Sequence, residues 1–321
     1  MTLTTTPAPA APPRKRRNGW RYYAIEYTSW WLLFTLLIVG FIATPLFFTA
    51  SNLLNVIEQS AIIGVLALGQ FLVILTGGID LSVGSMLALT AMVGASTIGL
   101  GWPVAVAASV VVGGLLGAFN GLAIVFGKLP PFIVTFAMLA IARGLALTMT
   151  NGAAINLPSD SGFAFIGSGL WPAVVWAVAV LAVYALLRRT RTGTHVFAVG
   201  GNIEAARVSG VRTGGILILV YALSAVGAAI AGLLFMARSG VSLPTYGNGY
   251  ELQTIAAVVV GGVNLFGGEG KVTGAVIGVI FMTMLSNILD LIAVNPFWSF
   301  CVIGVVLWAA IMLRAILQEA S

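Results

Sequence analysis

The sequence is poor in the residues that carry chemistry. Its 321 positions hold one histidine, His195, and one cysteine, Cys301. A lone histidine excludes a histidine-rich metal centre and the HExxH arrangement, which needs two on one helix face. A lone cysteine excludes an intramolecular disulfide and any multi-cysteine metal site. Charge is scarce too, at 7% of residues. The stretch GGEGKVTG (267–274) resembles a phosphate-binding loop, but Lys271 is followed by Val272 rather than Ser or Thr, and position 265 is Leu rather than Gly. ATP hydrolysis by that motif is excluded. Neither Asp80 nor Asp290 lies in the Gly-x-Gly-Asp setting of an intramembrane aspartyl protease. No catalytic constellation and no cofactor site emerges.

Apolar sequence is what the chain has in abundance. Hydrophobic residues make up 60% of it, and its mean hydropathy is +1.07. A soluble fold cannot absorb that much apolar sequence, because its surface must meet water. Runs of roughly 20 apolar residues recur, each long enough to cross ~30 Å of hydrocarbon. The period-2 alternation of a membrane β-barrel is missing. The expected class is therefore all-α: a polytopic membrane protein of about ten transmembrane helices, some of them broken. The spans fall near 30–49, 53–76, 81–100, 103–126, 130–150, 169–187, 216–236, 252–264, 272–291 and 297–313. They form one membrane domain over 30–316. The segment 252–264 is too short to cross unless extended or broken.

Residues 1–29 differ. MTLTTTPAPAAPP is rich in Pro, Ala and Thr, and RKRR (14–17) and Arg21 follow it. The next apolar run is of full membrane length with no evident cleavage site, so the expectation is a disordered, basic cytoplasmic tail. Positive charge favours the cytoplasmic side. With the N-terminus inside, Arg14, Lys15, Arg16, Arg17, Arg21, Lys128, Arg188, Arg189, Arg191, Arg207, Arg212, Lys271 and Arg314 all fall inside, 13 of the 15 basic residues. Arg238 alone is outside, and Arg143 lies within a span. Both termini are then cytoplasmic. The net charge of +6 reflects this topology, not nucleic-acid binding.

Glycine is the second abundance, with 39 residues. Gly113, Gly117 and Gly121, and again Gly270, Gly274 and Gly278, recur four apart, the spacing that lets helix backbones approach closely in lipid. GGIDLSVG (77–84) is echoed by GGVNLFGG (261–268). Duplicated halves are common in transporters, although a match this short also arises by chance.

Within TGGIDLSVGS the glycines break one helix and Asp80 can cap the next. Alternatively the break lines a hydrated path and offers polar groups to a solute. Asn264 invites the same two readings. Glu58, Gln70, Asn120, Thr135, Arg143, Asn287 and Asp290 also lie in or near spans and should face the bundle interior, since charge in lipid is costly. Amides and hydroxyls suit a polyhydroxylated solute because they donate and accept; hydrogen bonds between helices are the alternative. The candidates for a pathway are Asp80, Asn120, Thr135, Asn264 and Asn287. Arg143 is expected on an ion pair or backbone carbonyls.

One cytoplasmic connection, 188–215, is unusually polar. Gly200–Gly201–Asn202 suggests a turn with Asn202 as N-cap, Ile203–Ser209 form about two helical turns with Glu204 at the positive end of the dipole, and Gly210 stops the helix. Ala205 and Ala206 leave a small, smooth surface. Such a helix can dock into a partner's groove; a solvated linker is the plainer alternative.

GGIDLSVGSMLAL (77–89), PPFIVTFAMLAIARGLAL (130–147), AVGGNIEAARVSGV (198–211), ELQTIAAVVVGGVNLFGGEGKVTGAVIG (251–278) and LSNILDL (285–291) together resemble the permease subunits of bacterial ATP-binding-cassette sugar importers of the ribose/xylose/arabinose type, from about residue 50 to 315. The resemblance implies a multi-pass protein of the inner membrane that moves a monosaccharide or related polyol by alternating access and is not itself an enzyme. It implies three partners: a cytoplasmic ATPase, a periplasmic or lipid-anchored sugar-binding protein, and a second permease copy or a sister permease. It gives the ATPase-coupling role to the 198–211 loop, and so to Asn202, Glu204, Ala205, Ala206, Arg207, Ser209 and Gly210. The early glycine at 210 departs from the stricter pattern of other importer classes. Arg238 and SGVSLPTYGNGY (239–250) are candidate contacts for the binding protein. A stand-alone ion-coupled secondary transporter, with Asp80, Glu58 or Asp290 holding the ion, is the competing reading, and a structural membrane protein the third.

Overall fold

The computed structural model of the chain describes residues 28–158 and 162–319. Residues 1–27 of the expected tail, with Arg14, Lys15, Arg16, Arg17 and Arg21, lie outside the described residues, while its last two, Thr28 and Ser29, are helical. The rest is helical: α1 Thr28–Ala43, α2 Ala50–Leu75, α3 Val83–Thr97, α4 Trp102–Gly127, α5 Pro131–Thr148, α6 Trp171–Arg189, α7 Arg191–Gly201, α8 Ile203–Val208, α9 Thr213–Ser239, α10 Tyr250–Val260, α11 Val272–Leu291 and α12 Pro296–Glu319. Two short strands, β1 Ile155–Asn156 and β2 Val241–Ser242, pair antiparallel and join two connecting loops.

Among the described residues, seven helical stretches are long and apolar enough to cross a membrane: α2, α3 with its one-turn extension to Leu100, α4, α5, α6, α9 and α11. Three shorter apolar stretches accompany them, Ser29–Ala43, Tyr250–Val260 and Phe297–Val306. Local sequence explains two of the shortenings. α1 stops just before Pro45, which disfavours helix at the residue preceding it. α10 stops at Gly261–Gly262, where Gly262 takes φ +87°, a left-handed conformation that glycine adopts without strain.

α9 is the hub, packing on α2, α3 and α4. The glycine spacing of α4 is used here as expected. A methyl group on Gly113 would lie 2.8 Å from the Ala225 carbonyl oxygen, and one on Gly121 would lie 2.5 Å from the Ile218 Cα. The backbones of α4 and α9 are therefore in direct contact. Gly274 and Gly278 bring α11 against the α10 backbone at Gly261 and Ala257 in the same way. Gly270 precedes α11 and touches the side chains of Leu75, Val263 and Phe71 instead. α2 is enclosed, with 89% of its apolar window buried, whereas α6 has 11% buried and presents an apolar outer surface. In lipid such a surface needs no cover.

Candidate functional site

One group of buried polar residues gathers where α2 gives way to α3. Gly77, at φ +79°, turns the chain back. The N–H groups of Gly77 and Gly78 bond to the Ile74 (2.9 Å) and Val73 (3.1 Å) carbonyls. The chain then re-enters the bundle alongside α2. With its amide oriented to match its partners, Gln70 donates to the Asp80 carbonyl (2.9 Å) and accepts from the Asp80 N–H (3.3 Å). Thr135 of α5 donates to the Ile79 carbonyl (3.2 Å). Non-helical backbone inside a membrane bundle is tolerable only when its groups are satisfied in this manner.

Asp80 is 1% exposed and organises the break. The Ser82 N–H (2.9 Å) and hydroxyl (2.6 Å) both donate to one carboxylate oxygen, and the Ser224 hydroxyl of α9 donates to the other (2.9 Å). The expected cap thus binds one residue outside the helix, at Ser82, the N-cap of α3. Asn120 of α4 donates to the Ser82 hydroxyl (3.2 Å). Asn120 Oδ1 and the Tyr221 hydroxyl are buried and unpartnered among the described residues. Tyr221 lies one turn before Ser224 on α9, directly under Gly78. Asp80, Asn120 and Thr135 are therefore brought together. Gln70, Ser82, Ser224 and Tyr221 complete the cluster. Ser224 and Tyr221 went unforeseen, because hydroxyls three apart in an apolar helix carry no signature of a partner 144 residues away.

Asn264 lies in the echo segment, and its hydrogen bonds are local to that segment. Its side chain accepts the Phe266 N–H (3.1 Å), as Asp80 accepts that of Ser82. The two echo segments thus share a turn, from aligned residues, and they touch: a methyl on Gly267 would lie 2.7 Å from the Gly77 nitrogen. Asn287 is elsewhere. It exchanges amide hydrogen bonds of 2.9 and 2.8 Å with Asn52, near the other end of α2. Arg143 meets the expectation of carbonyl binding, donating to Pro244 and to Tyr246 (2.9 Å). Glu58 pairs with Arg238 (2.9 Å) and accepts the Gly169 N–H (2.9 Å).

The polar connection holds more helix than expected. Gly200 and Gly201 end α7, and the turn falls on Asn202 alone, at φ −165°. Thr190 caps α7 by accepting the Gly193 N–H (3.2 Å). Asn202 caps α8 through the Ala205 N–H (2.9 Å). Gly210, at φ +84°, ends it with bonds from Gly210 N–H to Arg207 and from Val211 N–H to Ala206, each 3.0 Å. Glu204 and Arg207 form a 2.6 Å pair with both side chains 68% exposed. Val208 is 85% and Ile203 44% exposed. Asn202, Ala205, Ser209 and Gly210 are also exposed. Ala206 corrects the expectation of a smooth alanine surface. It is buried, because the helical repeat turns it toward the bundle while Ala205 faces out.

Comparison with known proteins decides the family. The family described as branched-chain amino acid transport system / permease component matches residues 52–311. The chain belongs to this permease family. The permease is also 38% identical over 309 residues to the ribose import permease protein RbsC of Escherichia coli, covering 92% of this chain and 96% of that one. It is 39% identical over 289 residues to RbsC of Bacillus subtilis, covering 88% and 90%. It is 33% identical over 362 residues to the xylose transport system permease protein XylH of Escherichia coli, covering 89% and 92%. No solved structure matches the permease. The resemblance carried by the five motifs is borne out, and the protein is a multi-pass membrane permease.

Proposed function

We propose that this permease is the membrane subunit of an ATP-binding-cassette importer that carries a monosaccharide, a pentose, hexose or related polyol, across the bacterial inner membrane. Alternating access, driven by a separate ATPase, moves the solute. The reading is carried by similarity across nearly the whole chain to ribose and xylose import permeases. The exposed α8, with apolar Ile203 and Val208 beside the Glu204–Arg207 pair, is consistent with an ATPase dock. Its residues Asn202, Glu204, Ala205, Arg207, Ser209 and Gly210 form the contact, and Ala206 anchors it from within. Asp80, Asn120 and Thr135 line the solute path, while Asn264 holds the turn of the echo segment. Asn287 takes the interhelical role.

About ten membrane segments, the three shorter helices included, place both termini in the cytoplasm by the distribution of basic residues. A periplasmic or lipid-anchored binding protein delivers solute near Arg238 and the 239–250 segment. A second copy or a sister permease completes the pathway. The test is recovery of an ATPase from native membranes in mild detergent, comparing wild type with Glu204→Arg. Recovery with wild type and loss with the variant is the expected result. No ATPase from well-folded wild type overturns the reading.

A further inference from the structure

Three glycine-rich segments from distant parts of the chain meet backbone to backbone where α2 ends. Gly200, next to last in α7, faces the Leu75 carbonyl so closely that a methyl group there would overlap its oxygen, and would also lie 2.5 Å from the Gly268 nitrogen. A methyl on Gly267 would lie 2.9 Å from the Gly200 carbonyl oxygen, and one on Gly268 2.9 Å from the Gly201 Cα. The Gly268 N–H donates to the Leu75 carbonyl (3.0 Å). A methyl on Gly201, the neighbour of Gly200 on the same helix, would meet nothing within 4 Å.

Packed segments are ordinarily separated by side chains, which absorb small shifts by changing rotamer. At this contact no side chain intervenes. Close-packed backbone transmits strain rather than absorbing it, so a shift of α7 must be followed by Leu75–Gly77 and by Gly267–Gly268. On one side of the contact, Asn202 alone separates α7 from α8. On the other, two residues, Gly78 and Ile79, separate Gly77 from Asp80.

Resting on the importer reading above, we propose that Gly200 is a positioning residue for transport, joining the docked α8 to the re-entrant break so that movement of the ATPase displaces the Asp80 cluster. The joint acts on the cluster through Leu75–Gly77 and not by touching solute. Gly201, one position away and equally helical, lends its backbone to the contact with Gly268 but has room for a methyl group, so Gly201→Ala leaves the joint intact.

The experiment is hydrogen–deuterium exchange of the purified permease–ATPase complex, with and without a non-hydrolysable ATP analogue. Wild type, Gly200→Ala and Gly201→Ala are compared. In wild type and Gly201→Ala, nucleotide changes exchange in 198–210, 75–82 and 264–270 together. In Gly200→Ala the ATPase stays bound and 198–210 still responds, while the response of 75–82 falls about tenfold, a coupling loss of ordinary size. A full response at 75–82 in Gly200→Ala overturns the proposal. So does a wild-type response confined to 198–210, which decides the matter even when Gly200→Ala fails to fold. Failure of wild type to bind any ATPase overturns the importer reading itself, and the joint with it.

Discussion

Toward its N-terminus α2 is held by an ion pair as well as by the Asn52–Asn287 amide exchange. Glu58 grips Arg238 at the end of α9 and the Gly169 N–H of the loop before α6. Near its C-terminus, 17 residues on from Glu58 and roughly 25 Å away along a helix, it is held by neutral contacts. Leu75 accepts from Gly268, glycine backbones abut it, and Gln70 clasps the re-entrant chain. The difference lies in compliance. A salt bridge between long side chains can lengthen, admit water and reform. A contact between two glycine backbones has no flexible part. The first kind suits an end that opens toward solvent, and the second an end that passes motion on.

The largest effect should come from the C-terminal end of α2, at the Asp80 carboxylate. Asp80→Ala leaves the Ser82 N–H and the hydroxyls of Ser82 and Ser224 without their acceptor, at about 1–3 kcal/mol for each buried group. Thermal unfolding in detergent should show a large fall in Tm, and uptake in cells should be lost. Asp80→Asn keeps an acceptor and should recover part of the Tm; equal melting of the two variants would remove the carboxylate from its organising role. Gly117→Val comes next. It drives a branched side chain into the Tyr221 carbonyl and Ala222 Cα of α9, and overpacking of this kind costs about 1–3 kcal/mol. Gly144→Val on α5, where an added Cβ meets nothing within 4 Å, is the matched control and should melt close to wild type.

The charged end should be more forgiving. Arg238→Gln leaves Glu58 with the Gly169 N–H, and the partial exposure of Arg238, 31%, limits the loss to about 1–2 kcal/mol. Adding Glu58→Gln should restore part of it, and a double variant that melts lower than Arg238→Gln would contradict a simple ion-pair latch. The smallest change is Glu204→Ala. Its exposed pair with Arg207 should contribute under about 0.5 kcal/mol to stability, so unchanged melting with weakened ATPase recovery is the expected signature of a surface kept for a partner.

Local features were legible in the sequence and distant pairings were not. Asn202 as a cap and Gly210 as a stop follow from side-chain reach and left-handed φ, which act within a few residues. The α4 glycine stripe was legible because helical spacing maps directly onto one face. Asp80 was legible as the organiser of a break, but its partner Ser224 belongs to another helix. Asn287 shows the limit most clearly. Its polarity marks an inward face of a membrane helix, yet nothing local says whether solute or Asn52 will meet it. The helix α7 was obscured by its two terminal glycines, which signal a turn on intrinsic propensity. The packing of Gly200 on Leu75 overrides that propensity.

The glycine joint also limits how the protein can be repaired by mutation. Where two side chains collide, trimming one restores the fit, and genetic suppressors arise at the facing position. At Gly200 the facing atoms are the Leu75 carbonyl and the Gly268 amide, which no substitution can shorten. Second-site revertants of Gly200→Ala therefore cannot map to the contact. They must instead lengthen a neighbouring turn or loosen the far end of α7 where it leaves α6, so the positions of such revertants would trace the moving part of the molecule.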